Sequence, residues 1–323
     1  MQRGWKRKCW NCLDKKEASK LKRVVITGAG SMIGVATATA CLEQGKEVIA
    51  LVHRRETAER RLPHSARLTI IELPMEQFAS YEPEIRADVF YHFAWQATKR
   101  ANGVDGRANP VVQQENIGFT LAAVELAHRF GCKKFVGAGS QAEYGLADAP
   151  LTADTPIRPF LPYGIAKYAA GKLAEITAQR LGMSFVWGRV LSVYGEHDRP
   201  QTLVSYVIDC YRRGIQPLLT KCEQVWDYLY ESDAGRAFYL LGEKQLSSCF
   251  YCIGSGGGYA LSAYIKIVHD LMHAPVPLIF GQKPYAEHQV QYLVADISAL
   301  ARDTGFHPAV SFEEGIRRIL SSS

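Results

Sequence analysis

The chain has 323 residues, 47% of them hydrophobic and 22% charged, enough for one large or two modest units with a substantial buried core. Its formal charge of +6 is gathered at the start, where residues 1–23 hold nine Lys or Arg against Asp14 and Glu17, and the rest is close to neutral. A body without a basic excess argues against nucleic-acid binding, and the sequence contains no run of 18 apolar residues that would span a membrane.

The basic start lacks an apolar stretch after its charges, so it does not read as a secretory signal. Residues 1–21 are expected to form a disordered leader, and the cytoplasm is the expected compartment. Eight cysteines include the pairs Cys9/Cys12 and Cys249/Cys252, whose internal spacing fits zinc. Cys249 and Cys252 lie three apart in an apolar strand pattern, however, which turns them to opposite faces. Reduced thiols and no metal are the simpler expectation.

The elements then follow in order. LKRVVITGAG is a short apolar strand running into glycines, residues 31–44 read as a helix, and Lys46–Val52 as the next strand. Leu68–Leu73 and Val89–Ala94 are two more short apolar runs. A helix over 111–130, the strand KKFVGAG, a helix over 162–181 and the strand MSFVWGRV continue the alternation. Alternation of this kind predicts a doubly wound parallel sheet covered on both faces. Past residue 195 the pattern becomes helices near 201–213, 231–243, 260–273 and 312–320, with a strand near 248–253. The division expected is a dinucleotide-binding domain over 22–195 and a smaller substrate-binding lobe over 196–323, strand 248–253 returning to the sheet.

TGAGSMIG, residues 27–34, stands at the first strand–helix junction, where a glycine turn holds a dinucleotide. Gly28 allows the sharp turn, Gly30 lets the pyrophosphate approach, and Gly34 lets the helix lie close; the first-turn amides of Ser31, Met32 and Ile33 face the phosphates. The second strand ends in His53, Arg54 and Arg55 rather than an acid. Cations there suit a 2′-phosphate, so NADP(H) is the preferred cofactor, with NAD(H) served by Glu56 or a backbone contact as the alternative.

PYGIAKYAAGK, residues 162–172, puts Tyr163 and Lys167 one turn apart on a helix. A tyrosine can exchange a proton with a carbinol oxygen while hydride moves at the carbon, provided its pKa of about 10 is lowered, and a neighbouring ammonium lowers it. Ser140, at the end of the preceding strand, would add a hydroxyl to the same oxygen.

Taken together, TGAGSMIG, DVFYHFAW, ENIGFT, GSQAEYG, PYGIAK, GRVLSVYG, WDYLYESDAGRA and YCIGSG resemble the extended short-chain dehydrogenases/reductases, the NAD(P)-dependent nucleotide-sugar epimerase/dehydratase group. GSQAEYG, HFAWQ and WDYLYESD look most like its branch of CDP-abequose-related deoxysugar reductases. The resemblance implies a Rossmann-type domain with Ser140, Tyr163 and Lys167 as catalytic set. Gly28, Gly30, Ser31, Met32, Ile33, Gly34, His53, Arg54, Ala94, Tyr163 and Lys167 would meet the cofactor. It also implies a nucleotide-sugar substrate and a homodimer built on helices 111–130 and 162–181. Ser31 stands where the family's motif has glycine. Gln141 and Ala142 replace the adjacent acids that eliminate water, which disfavours dehydration. His197 resembles the histidine of the 3,5-epimerising members, but Ala142 stands at the matching cysteine place. Trp226 replaces a diphosphate-binding arginine and either stacks on the ligand or anchors the lobe. Gln141, Glu143, His197 and Trp226 are the expected substrate contacts. A 4-ketoreductase is expected, a 4-epimerase with tightly bound NAD is the alternative, and a non-catalytic cofactor-binding protein is a third reading.

Overall fold

The computed structural model describes residues 22–96, 100–101, 104–287 and 289–322. The basic leader, with Cys9 and Cys12, lies outside the described residues.

The first strand, β1 (Arg23–Thr27), feeds through the glycine turn into α1 (Met32–Glu43). It is followed by β2 (Glu47–Val52), a one-turn helix α2 (Arg55–Glu59), β3 (Leu68–Glu72) and β4 (Val89–His92). Next come α3 (Pro110–Arg129), β5 (Lys134–Ser140), α4 (Pro162–Arg180) and β6 (Ser184–Val190). A long excursion separates these from β7 (Phe250–Ile253). The seven strands form one parallel sheet in the order β3-β2-β1-β4-β5-β6-β7. The order reverses between β1 and β4, so a crevice opens at their carboxyl ends, where α/β sheets bind ligands.

Both faces of the sheet are covered, which is why its strands are apolar throughout rather than alternating. Val24, Val25 and Ile26 are fully buried. α3 and α4 cover one face, packing on Phe90, Phe135 and Trp187. On the other face α1 packs on α6 (Glu231–Glu243), which belongs to the excursion, and the contact is close. A Cβ on Gly235 would lie 2.3 Å from the Ala36 carbonyl oxygen. The helix expected in the lobe thus returns to roof the sheet.

The rest of the excursion and the C-terminal segment build the lobe. α5 (Leu203–Arg212), α7 (Leu261–Leu271) and α9 (Phe312–Ser321) bury Val207, Ile208, Ile265, Val268 and Ile316. Two small sheets join them: Ser192–Tyr194 with Tyr228–Tyr230, and Val225–Trp226 with Tyr259–Ala260 and Tyr292–Leu293. These strands of two or three residues, like α2 and α8 (Ser298–Thr304), have no periodic signature long enough to read. Cys252 packs beside Tyr144 while Cys249 lies against the opposite layer. No helix among the described residues is long and apolar enough to cross a membrane.

Candidate active site

The glycine turn is shaped by contacts that leave one side open. Gly28 has φ +63°, and a Cβ there would lie 2.7 Å from the Ala94 amide nitrogen, so the turn sits directly against the end of β4. A Cβ on Gly34 would come within 2.3 Å of the Gly28 carbonyl oxygen, which is why α1 can start so close to the strand. Gly30 is different, because its nearest neighbour would be the Ala58 methyl at 3.4 Å. Protein packing alone does not require glycine there, whereas close approach of a phosphate does. Ser31 caps α1, its hydroxyl accepting from the Gly34 amide at 3.2 Å. Serine in the glycine place therefore stabilises the helix start and leaves the Met32 and Ile33 amides at the open first turn. These residues fit a dinucleotide pyrophosphate.

At the end of β2, His53 and Arg54 are exposed. Arg55 is turned away: its guanidinium binds Glu59 and the Ile70 carbonyl, and its amide donates to Glu72. One of the expected cations is thus held by β3. Arg61, which the sequence pattern did not single out, donates to the carbonyls of Gly30 at 2.8 Å and His197 at 2.7 Å. It ties the glycine turn to the lobe.

The three expected catalytic side chains converge. α4 starts at Pro162 and carries Ala166, Ala170, Ala174 and Ala178 against the sheet, all nearly or fully buried. Gly164 would place a Cβ 2.2 Å from the Ala142 carbonyl oxygen. Small residues therefore let the helix approach the end of β5, which brings the Tyr163 phenol near enough to Ser140 for that side chain to lower its pKa. The Lys167 ammonium donates to the Ala138 carbonyl at 2.8 Å and lies 3.7 Å from the centre of the Trp95 ring. It is 5.9 Å from the centre of the Tyr163 ring.

Burial governs the titration of this set. It raises the Tyr163 pKa, opposed by the Ser140 side chain and by the more distant Arg107 and Arg199, while Glu143 adds to the rise. The expected depression by Lys167 is not what the geometry gives, because that ammonium is itself buried and engaged with Ala138 and Trp95. Burial pulls Lys167 down to about 7, with the Glu143 carboxylate pulling the other way.

Glu143, expected at the substrate, is fully buried behind Ser140 instead. Its carboxylate accepts from the Ser140 amide at 2.9 Å, the Trp187 indole at 3.0 Å and the Arg189 guanidinium at 2.7 Å. It closes a capping box with Ser140, so its work is to fix the end of β5. Sequence spacing showed only an acid near Ser140; its partner Arg189 lies on another strand. Gln141 stays partly exposed beside Ser140. His197 is held by Glu231, through its ring at 2.9 Å and its amide at 3.2 Å, as a loop staple rather than one half of an acid–base pair.

Trp226 is held within the lobe and faces its cavity. Its indole donates to the Ser192 hydroxyl at 2.6 Å, and the ring lines a cavity of about 830 Å³ in the lobe with Tyr228, Tyr206, Gln224 and Lys283. Asp198 also lines this cavity. Gln224 is nearly buried, yet its Oε1 has no hydrogen-bond partner among the described residues. A buried acceptor of this kind is costly unless a ligand satisfies it.

Comparison with known proteins gives concordant results. The chain is 24% identical over 307 residues to a putative UDP-glucose 4-epimerase of Methanocaldococcus jannaschii, covering 92% of this chain and 97% of that protein. It is 23% identical over 213 residues to the dTDP-4-dehydro-6-deoxyglucose reductase of Escherichia coli, covering 64% and 67%. The fold matches the UDP-glucose 4-epimerase of Thermotoga maritima, solved with UDP-glucose, with a TM-score of 0.79, 22% identity and coverage of 93% and 97%. Residues 24–254 match the family model whose description reads NAD dependent epimerase/dehydratase. With the strand order already that of a doubly wound sheet, the chain belongs to the NAD dependent epimerase/dehydratase family.

Proposed function

We propose that the chain is a nicotinamide-dependent oxidoreductase of a nucleotide-linked sugar, a 4-ketoreductase of a deoxysugar nucleotide that prefers NADP(H). The observation that carries this reading is the convergence of Ser140 and Tyr163 beside Lys167, followed by Gln141 and Ala142 instead of the acids that dehydration needs. A bound dinucleotide supplies the hydride. The chain's own groups do the rest: Ser140 donates to the carbonyl oxygen and orients it, and Tyr163 gives that oxygen its proton. Lys167 holds the nicotinamide ribose. Because burial raises the Tyr163 pKa, the phenol rests in the protonated form, which is the form reduction consumes.

The lobe cavity is assigned to the nucleotide, with Trp226 stacking and the Gln224 Oε1 accepting from a base or ribose donor. His53 and Arg54 are assigned to the 2′-phosphate. The relatives named as UDP-glucose 4-epimerases support the alternative, an epimerase with retained NAD.

The test begins with protein purified without added cofactor, whose bound dinucleotide is identified by absorbance and mass. Near-stoichiometric NAD(H) supports the epimerase. A site that is empty but takes up NADPH, and oxidises it with 4-keto deoxysugar nucleotides, supports the reductase. Tyr163→Phe should then lower turnover by roughly 10²–10⁴-fold while dinucleotide binding persists. Undiminished turnover would remove Tyr163 from the mechanism.

A further inference from the structure

Trp95 follows the segment that lies against Gly28, and its ring covers both members of the helix pair. The Lys167 ammonium lies 3.7 Å from its ring centre, well inside the range of a cation–π contact. The Tyr163 ring meets it edge to face, at 6.0 Å and 88°. The indole does not turn freely, since its N–H donates to the Gln113 Oε1 at 2.9 Å and the Gln113 amide donates to the Gly106 carbonyl at 3.0 Å. α3 therefore fixes the plane of the ring presented to the lysine.

The groups around that ammonium make this contact consequential. From β5 comes the Ala138 carbonyl, a neutral acceptor. From α4 comes Tyr163, whose phenol burial keeps protonated. From β6 comes the Trp187 ring, centred 5.8 Å away. His92 on β4 senses the lysine charge and is itself held neutral by burial, its pKa lowered to about 3. Glu143 is the carboxylate whose field reaches Lys167, but its oxygens are already engaged by Arg189, Trp187 and the Ser140 amide. No carboxylate forms an ion pair with this lysine among the described residues, so its close counterparts are the Ala138 carbonyl and the electron-rich indole face.

We infer that Trp95 is a positioning residue that holds Lys167 in its ammonium form beside Tyr163, ready for the nicotinamide ribose. The inference rests on the dinucleotide reading for its purpose, and on the indole–ammonium geometry for its content. Since burial already brings Lys167 to about 7, the stabilisation of one protonation state by the ring decides how much ammonium is present near neutrality.

The full-length protein carrying ε-¹³C-lysine is titrated by NMR, with the Lys167 resonance assigned by its loss in Lys167→Met. The Lys167 midpoint should fall by about one pH unit in Trp95→Leu and stay near the wild-type value in Trp95→Phe, which keeps an aromatic face. Circular dichroism establishes that each variant is folded. NADPH binding, with NADH alongside, followed by fluorescence across the same pH range supplies the functional readout. Affinity should fall as the ammonium loses its proton, and that limb should move to lower pH in Trp95→Leu. A Lys167 midpoint unchanged in Trp95→Leu overturns the inference, as does an equal fall in Trp95→Phe. Wild-type protein that binds neither NADPH nor NADH would sink the dinucleotide reading instead, while the lysine midpoints would still decide the role of Trp95.

Discussion

At the scale of single residues, the site is built from groups whose charge is set by what surrounds them. His92 is the plainest case outside the catalytic set. It is buried between the hydroxyls of Thr27, at 2.8 Å, and Thr120, at 3.4 Å, and burial lowers its pKa from 6.5 to about 3. The unfolded chain therefore binds a proton between those values that the folded chain refuses, so stability falls as pH drops through that window. By about pH 4.5 the loss should be on the order of 3 kcal/mol, read from urea denaturation at a series of pH values. His92→Gln should remove this part of the acid slope. Arg54 and Arg55 make a second residue-scale contrast. Arg55 is held by Glu59 and the Ile70 carbonyl, so of the two arginines it is Arg54 that the proposed NADP(H) reading assigns, with His53, to the 2′-phosphate. Arg54→Ala should weaken NADP(H) roughly tenfold more than NAD(H), a difference on the order of one charged hydrogen bond. Arg55→Ala should leave the ratio alone. Titration of both variants with both cofactors checks this, and equal losses would return the choice to NAD.

At the scale of elements, β5 shows how a strand is chosen for what passes beside it. Its glycines make room for Trp187: a Cβ on Gly137 would lie 2.2 Å from that ring, and one on Gly139 would lie 2.3 Å from its indole nitrogen. Gly137→Ala should cost about 1–3 kcal/mol through overpacking, seen as a lower denaturation midpoint, and Trp187→Phe in the same chain should restore part of it. Full stability in the single variant would show that the ring can move aside. Much of this architecture was readable because it is local. The strand–glycine–helix run at 23–43, the apolar strands and the Tyr163/Lys167 spacing all carry their signal within one or two turns of chain. What escaped depends on partners distant in sequence. Glu143 looks like a ligand contact until Arg189 and Trp187 are seen to enclose it, Arg61 acquires meaning only opposite His197, and Trp95 only opposite Lys167. The strands of the lobe are too short to have a period, and they exist because their neighbours pair with them.

At the scale of the molecule, one apolar surface remains to be accounted for. On α4, Ile165 is 52% exposed and Ile176 is 53% exposed, with Tyr168 and Leu173 beside them, and Ile165, Tyr168 and Ile176 recur at helical spacing. A patch of this kind marks an interface, and the homodimer expected through α3 and α4 would bury it. Ile165→Asp with Ile176→Asp should convert a dimer into a monomer in sedimentation analysis without altering the fold by circular dichroism. A wild-type monomer would remove the dimer from the description. The path of the chain between β6 and β7 has a different kind of consequence. The Trp187-bearing strand β6 lacks its outer neighbour, and α1 lacks its cover, until α6 and β7 have been made. On the ribosome, the first two hundred residues would therefore emerge with an unpaired strand edge and a bare apolar helix face. The excursion through α5 and α6 has to be synthesised before the sheet can be finished, so a stop codon between β6 and β7 would leave the sheet open as well as the cavity incomplete.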